Sequence, residues 1–193
     1  MAFIGLRKPI IGKLKEDGTY ETPINFGRAI SMEITPNYAE GSLYADDGLA
    51  EYDKEFKDAD VTLGTDTIPI EAREPMFGHA VDAEKKVTTY KGDDQSNYVG
   101  TGIVGIEKVN GKRIFTAAFL PKVKYVEPSD SLETKGDNIT YKTPTITGKA
   151  TVNERGEWKE TAVFEKESEA LAWIDEKFGK ATSTVQKAAN KTN

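Results

Sequence analysis

The segment from Val104 to Leu120 constrains the fold more than any other part of the sequence. Two runs rich in β-branched and aromatic residues flank Asn110-Gly111, a dipeptide that readily adopts the positive φ angles of a two-residue hairpin turn. A second hairpin is predicted around Asp47-Gly48. The sequence therefore predicts a mainly β protein. Its other predicted strands are Ile4–Leu14, Arg28–Thr35, Ser42–Ala45, Leu49–Phe56, Val61–Leu63, Ile139–Thr145 and Trp158–Phe164.

Two helices interrupt this pattern. A short one is predicted over Pro69–Phe77, and a longer amphipathic one over Ser168–Phe178, with Ser168 as its cap and Gly179 as its end. We expect two packed antiparallel sheets, as a β-sandwich or open barrel, flanked by the C-terminal helix and the short helix. Residues 1–180 would form one domain, with 1–15 as an N-terminal arm or strand, and 181–193 would form a polar basic arm.

The composition restricts the chemistry. The chain of 193 residues has no Cys, which excludes disulfides, thiolate nucleophiles and zinc-thiolate sites, and its one His is His79. We attribute His79 to a charge effect at the end of the short helix and expect no enzyme activity, metal or cofactor. The first residues resemble neither a signal peptide nor a membrane span, so we expect synthesis in the cytosol and no membrane binding.

Two motifs have simpler explanations than ligand binding. Gly100, Gly102 and Gly105 spell GxGxxG, but a strand and a hairpin follow where a dinucleotide site needs a helix. We expect a strand whose glycines let a neighbour approach closely. The loop around Asp93 resembles a calcium loop, but Tyr98 occupies the position of its turn glycine. That loop is predicted to be polar and without a metal.

The negative charge of the chain is concentrated in one segment. From Glu40 to Asp60 there are eight acids and two lysines, a net charge of −6, and the whole chain with 26 basic and 32 acidic residues is also −6. The remainder is therefore neutral. Glu51, Asp53 and Glu55 recur at a spacing of two, which places them on one face of a strand. A solvated face is the simplest explanation for an isolated domain.

The order of several blocks of the sequence resembles that in one known family. They are LYADDGLAEYDKEF, VTLGTD, a short helix ending in FGH, AFLPKVKYVEPSDSLETKGDNITYKTPTITGKA and the final helix AWIDEKF. In this order they resemble the major tail proteins of long-tailed, non-contractile bacteriophages, over most of residues 40–180. The resemblance implies a tail-tube subunit that forms stacked hexameric rings, through which the genome passes into the host.

The resemblance also implies roles for particular residues and partners. The candidate lumen or ring-junction acids are Asp46, Asp47, Glu51, Asp53 and Glu55. The candidate inter-subunit arm includes Thr184, Lys187 and Lys191. The implied partners are further copies of the chain, the tape-measure protein and the tail-terminator or baseplate proteins, with DNA passing without adhering. The implied location is the virion tail, and no cofactor is implied.

Two other classes stay open on the sequence alone. A tube subunit of a related bacterial secretion or phage-tail-like system would share this fold. A carbohydrate-binding β-sandwich module would need aromatic platforms, for which Trp158 and Trp173 are the only tryptophans. The predicted packing of Trp173 beside the apolar stripe of the C-terminal helix makes this third class the weakest.

Overall fold

The structure is a computed structural model that describes residues 3–134 and 141–180. It contains ten strands and two helices in the described part of the chain. The elements are β1 (Phe3–Lys13), β2 (Ile24–Asn25), β3 (Ala29–Ala45), β4 (Gly48–Thr65), α1 (Ile70–Phe77), β5 (Ala80–Asp82), β6 (Val87–Thr89), β7 (Tyr98–Val109), β8 (Lys112–Tyr125), β9 (Thr145–Ala150), β10 (Glu160–Phe164) and α2 (Glu167–Lys177).

Eight of these strands form one antiparallel sheet in the order β2-β1-β7-β8-β9-β4-β3, with β10 paired to β8 beside β9. The sheet curls until β1 lies near β3 without pairing with it, so the barrel stays open. A second sheet contains only β5 and β6. The mainly β fold class with two antiparallel sheets, a short helix and a C-terminal helix is confirmed.

Two apolar clusters hold the sheet from opposite sides. The barrel interior contains Leu63, Leu120 and Ile146, and α1 closes it with Met76 and Phe77. Burial of such side chains stabilises the fold by about 1.5–3 kcal/mol each.

The second cluster lies on the outer face of β7 and β8. There α2 places Ile174 and Phe178 against Val104 and Phe119. The sheet is thus buried on both faces in its central strands, which explains why β7 reads as an almost continuous run of buried residues.

The predicted GxGxxG segment lies in β7, as its strand interpretation required. A Cβ atom added at Gly102 would lie 2.4 Å from Cγ2 of Ile174, and one at Gly100 would lie 2.6 Å from the ring of Tyr20. The glycines therefore allow α2 and the β1–β2 connection to approach the backbone of the sheet.

Three local predictions are wrong. The turn between β3 and β4 is Asp46-Asp47, with φ angles of 50° and 59°, and not Asp47-Gly48. One extra residue in β4 shifts the register between Leu43 and Tyr44, and the hairpin then closes with Ala45 paired to Gly48. Ser168 does not cap α2, because the helix begins at Glu167 after Lys166.

The third error concerns the strand predicted over residues 139–145. The described part of that segment, Tyr141–Pro144, has no strand, and β9 begins at Thr145. β9 pairs with β4 from Gly64 to Ala59, so its position is set by a neighbour distant in sequence. Alternation in the sequence alone does not report that neighbour.

Candidate functional site

The end of the β3–β4 hairpin projects from the barrel as a two-stranded ribbon. Every residue from Tyr38 to Glu55 is exposed, and we call this segment the distal ribbon. β9 pairs with β4 only over residues 59–64, so along the distal ribbon β3 and β4 pair with each other alone. With a rise of about 3.4 Å per residue, the ribbon extends about 25 Å beyond the sheet. Both of its outer edges carry backbone groups that no described strand pairs.

The acids predicted from spacing do share one face of this ribbon. Glu51, Asp53 and Glu55 lie across the strand pair from Leu43, Gly41 and Ala39, on the face directed away from the core. The row continues into the body of the sheet with Asp58 and Asp60, opposite Asn37 and Thr35. The structure thus places five carboxylates in line along β4.

Counter-charges meet only part of this acidic segment. Lys149 of β9 lies between two acids, with its Nζ 3.0 Å from Oδ1 of Asp58 and 2.9 Å from Oδ1 of Asp60. Hydrogen bonds from Asn37 and then from Lys149 lower the pKa of both carboxyls. Glu40 pairs with Lys54 at 2.6 Å.

The other acids of the segment are the five singled out from the sequence. Within the described part of the chain no Lys or Arg pairs with Asp46, Asp47, Glu51, Asp53 or Glu55. Asp46 and Asp47 form the tip of the hairpin, and their positive φ angles set the turn. The structure thus leaves an uncompensated acidic face on the distal ribbon.

The opposite face of the distal ribbon is aromatic, which the sequence analysis did not recognise as a surface. It continues the core-facing side of the sheet, but no part of the described chain covers it. Tyr44 is 70% exposed, Leu49 57% and Tyr52 54%. Only its base is anchored, where Phe56 stacks on Trp158 with ring centroids 4.7 Å apart. The alternation in the sequence that identified the acids Glu51, Asp53 and Glu55 also places Tyr52 and Phe56 on the opposite face.

A basic patch lies on the outer face of the barrel, on strands β7 and β8. We define it as Lys122, Lys124 and Tyr98. The two Nζ atoms lie 4.7 Å and 5.5 Å from the centroid of the Tyr98 ring, and no carboxylate in the described residues pairs with either. Tyr98 stands opposite Lys124 in the strand pairing. Sequence reasoning missed this patch because cross-strand pairing brings the aromatic ring to the lysines.

His79 directly follows Gly78, the residue that ends α1, and it makes two contacts that the sequence analysis did not predict. Its Nδ1 lies 2.7 Å from Oδ2 of Asp94, and its Nε2 lies 2.7 Å from Oε2 of Glu127. Burial acts to lower the pKa of His79, but the hydrogen bonds that its ring donates to Asp94 and Glu127 outweigh it and raise that pKa above 6.5. A protonated ring donates through both nitrogens, so His79 ties α1 to two loops.

The other ligand hypotheses find no support in geometry. No group of three or more His, Asp or Glu residues suited to a metal occurs in residues 3–134 and 141–180. Trp158 stacks on Phe56 and Trp173 packs beside Phe164, so both rings face protein rather than forming an open platform. No helix among the described residues is both long and apolar enough to cross a bilayer. The candidate arm residues Thr184, Lys187 and Lys191 lie outside the described residues.

Comparison with known proteins gives little further information. No family model matches the sequence, and no curated protein matches it. Among solved structures, the chain is similar to one titled the cryo-EM structure of the anti-feeding prophage cap, the AFP tube terminating cap. That match has a TM-score of 0.41 and 11% identity, and covers 85% of this chain and 93% of the other. Similarity at this level assigns neither a fold nor a function.

Proposed function

We propose that this chain is the structural subunit of a phage tail tube, assembling as hexameric rings that stack into a channel for genome ejection. The observation that carries the proposal is the distal ribbon, in which every residue from Tyr38 to Glu55 is exposed. Such a ribbon is poorly stable without a surface to pack on, because a lone two-stranded hairpin is marginal in water.

The free edges of the ribbon favour contact with further copies. Unpaired strand edges template pairing with another chain, and monomeric proteins usually cover them. A projection on one side of the subunit that fits a different surface on the next copy makes a head-to-tail contact, which closes into rings or extends into filaments. The resemblance of the LYADDGLAEYDKEF and FLPKVKYVEPSDSLETKGDNITYKTPTITG blocks to tail-tube proteins selects the ring-and-tube form.

The same proposal accounts for the charge of the chain. A net charge of −6 disfavours adhesion to DNA, as a channel for a passing genome requires. We include in it the partners that the resemblance implies, namely the tape-measure and the tail-terminator or baseplate proteins, and a place in the virion tail. The role is structural and involves no catalysis.

The proposal is tested by electron microscopy of the purified protein over a range of concentrations. We expect hollow tubes of stacked rings, with sedimentation velocity showing loss of monomer as the concentration rises. The matched control replaces residues 39–55 with Asn-Gly, which joins the paired residues Tyr38 and Phe56 through a two-residue turn. This shortened chain should fold and remain monomeric. Monodisperse wild-type monomer in every condition would refute the proposed function.

A further inference from the structure

Along the acidic face of β4, the lysine that bridges the described acids comes from β9. β9 pairs with β4 as far as Ala59, and its Lys149 bridges Asp58 and Asp60. Beyond that point the same face continues with Glu55 and Asp53, and no described lysine of this chain bridges them. The Lys149 contact shows what the row accommodates: an ammonium group between two carboxylates that are two residues apart.

The basic patch also brings two charges together from one strand. Lys122 and Lys124 both reach the ring of Tyr98 from β8, with Lys122 beside the register shift between β7 and β8. Asp53 and Glu55 are two residues apart on β4, so their side chains leave one face about 7 Å apart. Two lysines without a described acid partner are thus opposite in charge to two acids without a described basic partner.

We propose that the distal ribbon of one copy docks its acidic face, at Asp53 and Glu55, on the basic patch of a second copy. This contact rests on the proposed self-assembly and identifies two surfaces that meet in it. It repeats between copies the pairing that Lys149 makes within one copy. The ribbon carries six acids and one lysine, a net charge of −5, so two ribbons repel each other while a ribbon and a patch attract.

Because the two surfaces are different, this contact adds one copy after another. Each copy has its ribbon at the end of the β3–β4 hairpin and its patch on β7 and β8, so a copy whose ribbon is docked still offers its patch. Contacts between two different surfaces of identical copies build rings or filaments rather than stopping at a dimer. Because Lys124, Asp53 and Glu55 are exposed and Lys122 is half-buried in the free subunit, the contact should weaken as salt is raised.

A charge-reversal exchange tests the contact in the full-length chain. We expect Asp53→Lys with Glu55→Lys to lower the assembled fraction about tenfold or more, and Lys122→Glu with Lys124→Glu to do the same. The variant with all four changes should recover assembly, since the signs are exchanged and the pairing is kept. The control is Glu84→Lys with Asp93→Lys, two exposed acids that change the net charge equally. Circular dichroism of each variant establishes that it folds.

The outcomes separate this contact from the proposed function. Wild-type tubes together with normal tubes from both reversed pairs would overturn the contact and leave the tube function standing. The contact would also be overturned if both reversed pairs fold but the variant with all four changes does not recover assembly. If the acid reversal assembles normally but its tubes retain DNA at low salt, these acids face the channel and the contact is wrong. A wild type that never assembles refutes the function itself.

Discussion

The contacts of His79 indicate that this residue contributes to folding stability. Its side chain is 7% exposed and lies between Asp94, from the connection before β7, and Glu127, two residues after the end of β8. The ring of Tyr90 lies 4.4 Å away, so the imidazole is enclosed on its face as well as at both nitrogens. The sequence identified His79 as the only imidazole but could not show its partners, which come from 15 and 48 residues away.

This arrangement predicts a pH dependence of folding stability. The raised pKa of His79 means that its contribution is fully present below the unfolded value of about 6.5 and is lost as pH rises through the folded pKa. The hydrogen bond from His79 lowers the pKa of Asp94 below 3.8, so that contribution is lost only at acid pH. The free energy of unfolding, measured with urea between pH 5 and 9, should fall on the alkaline side.

The control for this prediction is His79→Gln. It should lower the unfolding free energy at pH 6 by about 1.5–3 kcal/mol, the usual range for hydrogen bonds to charged groups, and should flatten the alkaline fall. The titration can be followed directly, because the chain has one His and therefore one imidazole signal in the proton spectrum. An imidazole that titrates below 6.5 would contradict the assignment.

At the scale of elements, the strands are longer than the sequence suggested. β3 has 17 residues and β4 has 18, whereas four shorter runs were predicted over them. Irregular registers at Asn37 and at Leu43 break the alternation, so the sequence pattern appears to restart. Hairpin β7–β8 lacks such a break at its turn and was predicted with the correct turn residues. The acidic face was predictable because it lies on one strand, and the basic patch was not because it spans two.

The close packing of α2 on β7 gives a second prediction about folding stability. Gly102→Ala places a Cβ atom 2.4 Å from Cγ2 of Ile174, so the helix must shift or the strand must distort. We expect a loss of about 1–3 kcal/mol in unfolding free energy, the usual cost of overpacking. Gly92→Ala is the control, because no atom lies within 4 Å of its added Cβ. Equal stability of the two variants in urea would show that α2 does not depend on that close approach.

At the scale of the whole molecule, the described core closes without the last residues. α2 ends at Lys177, Phe178 packs into the outer cluster, and Gly179 adopts a φ of 77° that turns the chain. The fold class was predictable from hairpins and helix periodicity. The order of the strands in the open barrel was not, because it depends on which strands distant in sequence become neighbours.

We predict that a chain ending at Lys180 keeps the unfolding free energy of the full chain within about 0.5 kcal/mol, because residues 181–193 are polar and show no apolar periodicity. The same truncation should lower the assembled fraction, because it removes the candidate arm with Thr184, Lys187 and Lys191. Urea denaturation and sedimentation velocity measure the two effects separately. A truncated chain that assembles as readily as the full chain would remove the arm from the interface.

The uncompensated charge of the distal ribbon also affects how copies of the free protein associate with one another. Its free strand edges would otherwise seed irregular aggregates with neighbouring copies, since charge on an edge strand is one way that proteins prevent such pairing. Mutual repulsion opposes edge-to-edge contact between two ribbons, and added salt screens that repulsion over a Debye length of about 10 Å at 0.1 M. Raised salt should thus shift association away from the ribbon–patch contact and toward irregular pairing of ribbon with ribbon.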